Sequence, residues 1–249
     1  MRRAFLTARW SHLCILTWEA APELLLPHLP AGLDLDRRDG RCYASVVAFH
    51  FLDTRVFGLR WPGHRDFPEW NLRFYAREGP RRGVVFVREL VPRRWIAWAA
   101  RAFYNEPYST AAFRSDVREH AGALVVEHRV NFQGREHRLS VTAGLAPYLP
   151  REDSFEHWVK EHQWGFGRDR SEHLLRYEVR HPVWPLYPVL DFDLKTDFAQ
   201  LYGAAWEPLG RRPPDSVVLA QGSEVSVWPA ERDCRASASP ARGDSPSRR

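Results

Sequence analysis

The alternation of apolar and polar positions is most informative over Phe67-Pro68-Glu69-Trp70-Asn71-Leu72-Arg73-Phe74-Tyr75-Ala76-Arg77. In an extended strand successive side chains point to opposite faces. Glu69, Asn71, Arg73 and Tyr75 therefore share one face, and Trp70, Leu72, Phe74 and Ala76 share the other. Two readings of the polar face stand side by side. An ordinary amphipathic strand wets that face, whereas a carboxylate, an amide, a guanidinium and a phenol in one row can bind and polarise a small molecule.

The same pattern predicts strands at Leu13–Trp18, Tyr43–Leu52, Val84–Val91, Leu174–Val179, Pro188–Asp193 and Ser216–Trp228, the last folded about Gln221-Gly222-Ser223. Leu124–Phe132 and Glu136–Thr142 read as a hairpin around Gln133-Gly134-Arg135, and Arg38-Asp39-Gly40-Arg41 carries an Asp-Gly turn signal. Residues 110–120 fit either loop or irregular strand, and Gln163–Gly167 reads as loop. The period changes to a helical one at Arg93–Tyr104, with Pro92 ahead of it and Asn105-Glu106-Pro107-Tyr108 behind. A second helix runs from Asp153 or Ser154, as cap, to about His162. Pro22 opens a shorter turn of helix that the next prolines stop. Strands and hairpins outnumber helices, so the fold class is mainly β (α+β), an antiparallel sheet closed or nearly closed on itself.

The 249 residues and a hydrophobic fraction of 44% are enough for one sizeable core. A single domain over 1–229 is expected. Residues 230–249, rich in Arg, Ser, Pro and Ala, form a tail expected to be disordered. The formal charge of +5 is partly the tail's, which holds five arginines against three acids. What is left is too weak for a phosphate-tracking surface, so no nucleic-acid partner is expected. No apolar run reaches the roughly 18 residues of a membrane span. The start resembles a signal peptide, but Arg9, Ser11 and His12 interrupt it. Cys14, Cys42 and Cys234 lack disulfide or zinc spacing, and a cytoplasmic, reduced protein is expected.

The chemistry narrows by elimination. His157 and His162 are five apart on a helix and poorly aligned for a metal, while solvent-facing strand positions account for His128 and His137. No metal and no cofactor is expected: GxSxG and Walker motifs are absent, and Gly165-Phe166-Gly167 lacks the context of a dinucleotide fingerprint. Only Lys160 and Lys195 among 36 basic residues are lysines, and both read as solvated surface charges.

An early Leu-Pro-x-Gly-Leu phrase (Leu29–Leu33), the Phe-x-Glu-x-Asn-x-Arg-x-Tyr strand (Phe67–Tyr75), a Gly-Val-x-Phe strand (Gly83–Phe86) and a helix running into Pro107-Tyr108 come in one order. That order resembles the conserved family catalogued as domain of unknown function 2071, similar in fold to acetoacetate decarboxylase, across residues 5 to 230. The resemblance implies a cone-like β-barrel with two or three peripheral helices and an interior pocket for a small organic acid, ketone or aromatic compound. It also implies a Schiff-base lysine near Pro107-Tyr108. No lysine lies between residues 1 and 159, which argues against Schiff-base decarboxylation. The remaining candidates are Glu69 and Tyr108 as catalytic groups, Glu69 being carried over from the resemblance, and Asn71, Arg73 and Tyr75 as substrate-binding groups. A structural Glu69–Arg73 ion pair is the competing account of the same residues. A small molecule is the expected partner, with homo-oligomerisation open. The other class of reading is a non-catalytic scaffold that engages a partner through its arginine-rich surface and tail.

Overall fold

Strand β1 (Leu6–Glu19) is followed by the short helix α1 (Pro22–Leu25), the two-residue β2 (Asp34–Leu35), and the long strands β3 (Tyr43–Val56), β4 (Phe67–Glu78) and β5 (Arg81–Val91). After β6 (Tyr108–Thr110) come β7 (Ala112–His120), β8 (Ala123–Phe132) and β9 (Arg135–Ala143). Helix α2 (Phe155–Lys160) leads to β10 (Trp164–Arg168), β11 (Leu174–Arg180), β12 (Leu186–Tyr187) and β13 (Val189–Lys195). Helices α3 (Phe198–Tyr202) and α4 (Glu207–Gly210) precede β14 (Ser216–Val227) and β15 (Glu231–Arg232). This computed structural model describes residues 3–60, 65–92 and 107–232. The helix expected at Arg93–Tyr104, with Asn105 and Glu106 behind it, and residues 233–249 of the expected tail lie outside the described residues.

Seven strands, in the order β14-β1-β3-β4-β5-β10-β11, form a ring, because β11 pairs back onto β14 at Val179↔Val227 and Arg180↔Ser226. Its pairings are antiparallel except that β5 runs parallel to β10. A second, antiparallel sheet has the order β13-β9-β8-β7.

The two faces of the ring strands have different fates. Cys14, Leu16 and Trp18 of β1, Val46 of β3, and Trp70, Leu72 and Phe74 of β4 pack with Val126, Val130, Leu139 and Val141 of the second sheet and with Phe198, Leu201 and Tyr202 of α3. The opposite face gathers Leu13, Ile15, Val47, Phe49, Phe67 and Tyr75 around Trp158 and Val159 of α2 and around Trp184. Burial on both faces is why β1 and β3 read as nearly continuous apolar runs. Helix α2 starts where expected: the Ser154 hydroxyl accepts the His157 N–H at 3.2 Å.

Several expectations are corrected. Gln163–Gly167 is largely strand β10, whose glycines serve close approach and not a loop. A Cβ on Gly165 would lie 2.1 Å from the Tyr177 ring, and one on Gly83 2.4 Å from the Trp164 carbonyl across the β5–β10 junction. The segment Gln221-Gly222-Ser223 is no hairpin. Strand β14 runs straight through it, paired with β1 from Leu6↔Val227 to Thr17↔Ser216, and Gly222 supplies a positive φ of 80° where the Trp10 carbonyl crowds the backbone. Residues 112–120 are strand β7, at one edge of the second sheet. His128 and His137 are fully buried, since alternation puts them on the same faces as Val126 and Val130 and as Leu139 and Val141. Lys160 is also buried, at the end of α2. Glu231 and Arg232, placed in the tail by composition, pair with β11.

Candidate functional site

Strand β4 lies between β3 and β5, so its backbone groups are taken up on both sides. Its polar side chains project onto the face that α2 covers. Glu69, Asn71, Arg73 and Tyr75 are only 3%, 2%, 9% and 1% exposed, which rules out a solvated polar face. Directly across the ladder from Asn71 stands Glu89, 1% exposed, and cross-strand partners share a face. Glu89 in turn pairs with Tyr108 of the parallel strand β6. Two buried carboxylates, an amide and a phenol are thereby brought together.

Glu69 is the acceptor at the centre of this set. Its Oε1 takes a hydrogen bond from Asn71 Nδ2 at 2.9 Å, and its Oε2 takes one from the Tyr108 hydroxyl at 3.3 Å. The contact with a carboxylate fixes which end of the Asn71 amide is nitrogen. Asn71 Oδ1 therefore points elsewhere, and it has no hydrogen-bond partner among the described residues.

Arg73 and Tyr75 lean toward α2. Arg73 Nη2 reaches the Val159 carbonyl at 3.4 Å, its Nε has no partner among the described residues, and no ion pair joins it to Glu69 there. The competing account, a Glu69–Arg73 ion pair, is not found among the described residues, where the two side chains have separate partners. The Tyr75 hydroxyl donates to the Val159 carbonyl at 3.2 Å and lies 2.5 Å from Ser45 Oγ, which itself meets Thr17 Oγ1 at 2.8 Å. That phenol is committed to tying α2 onto three strands.

Beside Tyr75 lies a second polar group. His162 stacks on the Tyr75 ring at 4.7 Å and sits 3.4 Å from Arg82, whose Nε binds Asp36 at 2.7 Å. Burial holds the His162 imidazole down to about 4, against the opposing pull of Asp36. The Lys160 ammonium pairs with Glu161, and burial lowers its pKa while Glu161 opposes the shift. Glu161 also accepts the Trp184 backbone N–H at 3.3 Å, and the His181 ring stacks on Trp184 at 3.9 Å.

Sequence reasoning missed the buried Glu89 and read the buried Lys160 as a solvated surface charge. Glu89 did carry a signal, as a lone acid within the apolar run of β5. Among the described residues no group of three or more His, Cys, Asp or Glu could hold a metal. A cavity of about 380 Å³ lined by His12, Val117, Arg118, Glu119, Leu124, Leu145 and Tyr187 shares no residue with the polar row.

Residues 7–224 match the family described as "DUF2071: Uncharacterized conserved protein (COG2071)". The chain belongs to this family. The chain is also similar to a Bacillus subtilis (strain 168) protein named "Uncharacterized protein YqjF", with 27% identity over 180 residues that cover 71% of this chain and 73% of that one. Among solved structures it resembles an acetoacetate decarboxylase-like enzyme from Sphingomonas wittichii RW1, with TM-score 0.64, 17% identity, and 91% and 92% of the two chains covered. It also resembles the enduracididine biosynthesis enzyme MppR complexed with pyruvate, with TM-score 0.64, 14% identity, and 93% and 91% covered. At these identities the likeness shows the fold: this DUF2071 member is a mainly β protein with few helices, of the acetoacetate decarboxylase-like type.

Proposed function

We propose that this DUF2071 protein binds a small organic acid or carbonyl compound inside its strand ring, which acts as a cone-like barrel. Glu69 and Tyr108 are its acid/base pair, and Asn71 and Arg73 hold the ligand. One observation carries the reading: a complete row of polar side chains is buried while Asn71 Oδ1 and Arg73 Nε lack partners among the described residues. A buried polar atom without a partner costs about 1–3 kcal/mol, and a ligand offering an acceptor to Arg73 and a donor to Asn71 removes that cost. A hydroxy acid or an enolisable oxo acid offers both. The pyruvate bound by the similarly folded MppR belongs to this chemical class. Tyr75 leaves the set of ligand-binding candidates because its hydroxyl already serves Ser45 and Val159.

The test is a thermal-shift panel of pyruvate, lactate, benzoate and acetone. The acids are expected to raise Tm with concentration, as any ligand that prefers the native state does. Arg73→Met, near in volume but unable to hold a carboxylate bidentately, is expected to abolish the shift. Equal shifts in the folded Arg73→Met variant would remove Arg73 from the site.

A further inference from the structure

The cavity of about 380 Å³ opens between the two sheets. On one side His12 comes from β1 and Tyr187 from β12, which pairs with the ring strand β14. On the other side Val117, Arg118 and Glu119 come from the edge strand β7 and Leu124 from β8, with Leu145 just past the end of β9. Its volume falls within the range of small-molecule sites.

The ring-side wall is made by a break in regular pairing. Between the pairs Ser11↔His50 and Cys14↔Ala48, His12 and Leu13 of β1 stand opposite the single residue Phe49 of β3, and His12 takes a φ of 53°. That conformation is uncommon for any residue but glycine, and a bulge of this kind re-aims a side chain. Here it sets the imidazole near-parallel to the Tyr187 ring, at 11° with centroids 6.2 Å apart, while Ser11 Oγ meets His12 Nδ1 at 2.7 Å.

The facing wall is apolar with a charged rim. Val117 and Leu145 are 36% and 43% exposed, so they present apolar surface that a ligand can cover. Beside them, Arg118 and Glu119 both reach the cavity because β7 ends at His120 and turns through Ala121-Gly122. Arg118 is paired with Asp116, which takes up part of a fork of five donors. Glu119 has no ion pair among the described residues. Charges on an edge strand discourage pairing with other chains, and that accounts for each charge singly. It does not account for a cation and an anion set side by side against an apolar wall and two parallel rings.

We propose that this cavity binds a free α-amino acid as its zwitterion, one with an apolar or aromatic side chain. Arg118 takes the carboxylate, which a guanidinium fork fits bidentately, and Glu119 takes the ammonium. In such a ligand the two charges sit on one carbon, as the two receiving side chains sit on adjacent residues. Its side chain covers Val117, Leu124 and Leu145 and packs against the rings of His12 and Tyr187. A plain acid leaves Glu119 unmatched, and a plain amine leaves Arg118 unmatched. The site is separate from the polar row and does not rest on the acid-binding reading of it.

Isothermal titration calorimetry of the full chain with L-phenylalanine, 3-phenylpropionate and 2-phenylethylamine tests the proposal. L-Phenylalanine is expected to bind saturably. Each analogue lacks one charge and should bind about tenfold or more weakly, the effect of one charge-assisted hydrogen bond lost. Arg118→Gln should bring phenylalanine down to the level of phenylethylamine, and Glu119→Gln down to that of phenylpropionate. Both side chains are exposed, so these variants should keep the fold. Arg73→Met should bind phenylalanine as the unaltered chain does. No saturable binding, equal affinity for the three compounds, or phenylalanine binding that ignores both cavity variants would overturn the proposal. Phenylalanine binding lost in Arg73→Met alone would move the ligand to the polar row and also overturn it. If phenylalanine failed to bind while pyruvate still raised Tm, the cavity site would fall and the acid-binding reading would stand.

Discussion

Tyr75→Phe removes one oxygen from the buried chain Thr17–Ser45–Tyr75–Val159 and leaves the ring in place. The phenyl keeps its contacts with Trp158 and His162, both at 4.7 Å between centroids. Ser45 keeps Thr17, and the Val159 carbonyl keeps Arg73, so no neighbour loses its last partner. The cost is then that of two hydrogen bonds at about 1 kcal/mol each, or about 1–2 kcal/mol net. For a chain of this size that corresponds to a fall in Tm of about 2–8 °C. Urea unfolding of Tyr75→Phe, Ser45→Ala and the double variant measures it. A coupling above ~0.5 kcal/mol is expected, because the two hydroxyls lie 2.5 Å apart. Pyruvate-induced stabilisation should survive in Tyr75→Phe. The reasoning is refuted if the single change costs less than ~0.3 kcal/mol and adds independently to Ser45→Ala. Loss of ligand response at unchanged stability would instead return Tyr75 to the binding set.

Gly83→Ala should destabilise by about 1–3 kcal/mol, because the new methyl would meet the Trp164 carbonyl at 2.4 Å and the Phe166 ring at 2.5 Å. Hydrogen exchange should locate the loosening at the β5–β10 pairing, and protection left intact there would contradict the close approach. The pH profile of stability should carry the signature of His162. Its folded pKa of about 4 lies below the ordinary 6.5, so between these values the unfolded chain binds the extra proton. Stability is complete above pH 6.5 and falls as pH drops toward 4, by roughly 3 kcal/mol at most. His162→Phe should flatten that slope in denaturant titrations at several pH values, and an unchanged slope would show that the imidazole is not buried neutral.

Local features were legible because each depends on a few neighbouring residues. The Gln133-Gly134 turn adopts φ of 51° and 82°, and Asp39-Gly40 adopts 52° and 78°, as hairpin turns of this kind require. The Ser154 cap follows from a side chain that reaches three residues along its own helix. The meeting of Glu69 and Tyr108 was anticipated from the family resemblance and not from spacing, since 38 intervening residues carry no distance information.

Glycine misled where its reason is tertiary. Gly165 and Gly222 signal turns by composition, yet one makes room for the Tyr177 ring and the other for the Trp10 carbonyl, atoms contributed by distant segments. Lys160 misled for a related cause. Charge and a position at the end of a short helix predict a solvated side chain, and only the packing of α2 against the ring strands buries it.

The periodicity of residues 67–77 dictates that Glu69, Asn71, Arg73 and Tyr75 act as one face, because pleating forces alternate side chains apart whatever surrounds them. It is silent on which face meets water, since alternation looks the same from either side. The neighbours decide that: Trp70, Leu72 and Phe74 are claimed by the second sheet, α2 closes over the Arg73–Tyr75 end of the polar row, and Tyr108 meets Glu69 at the other. A strand buried on both faces has turned an amphipathic pattern into a buried polar site.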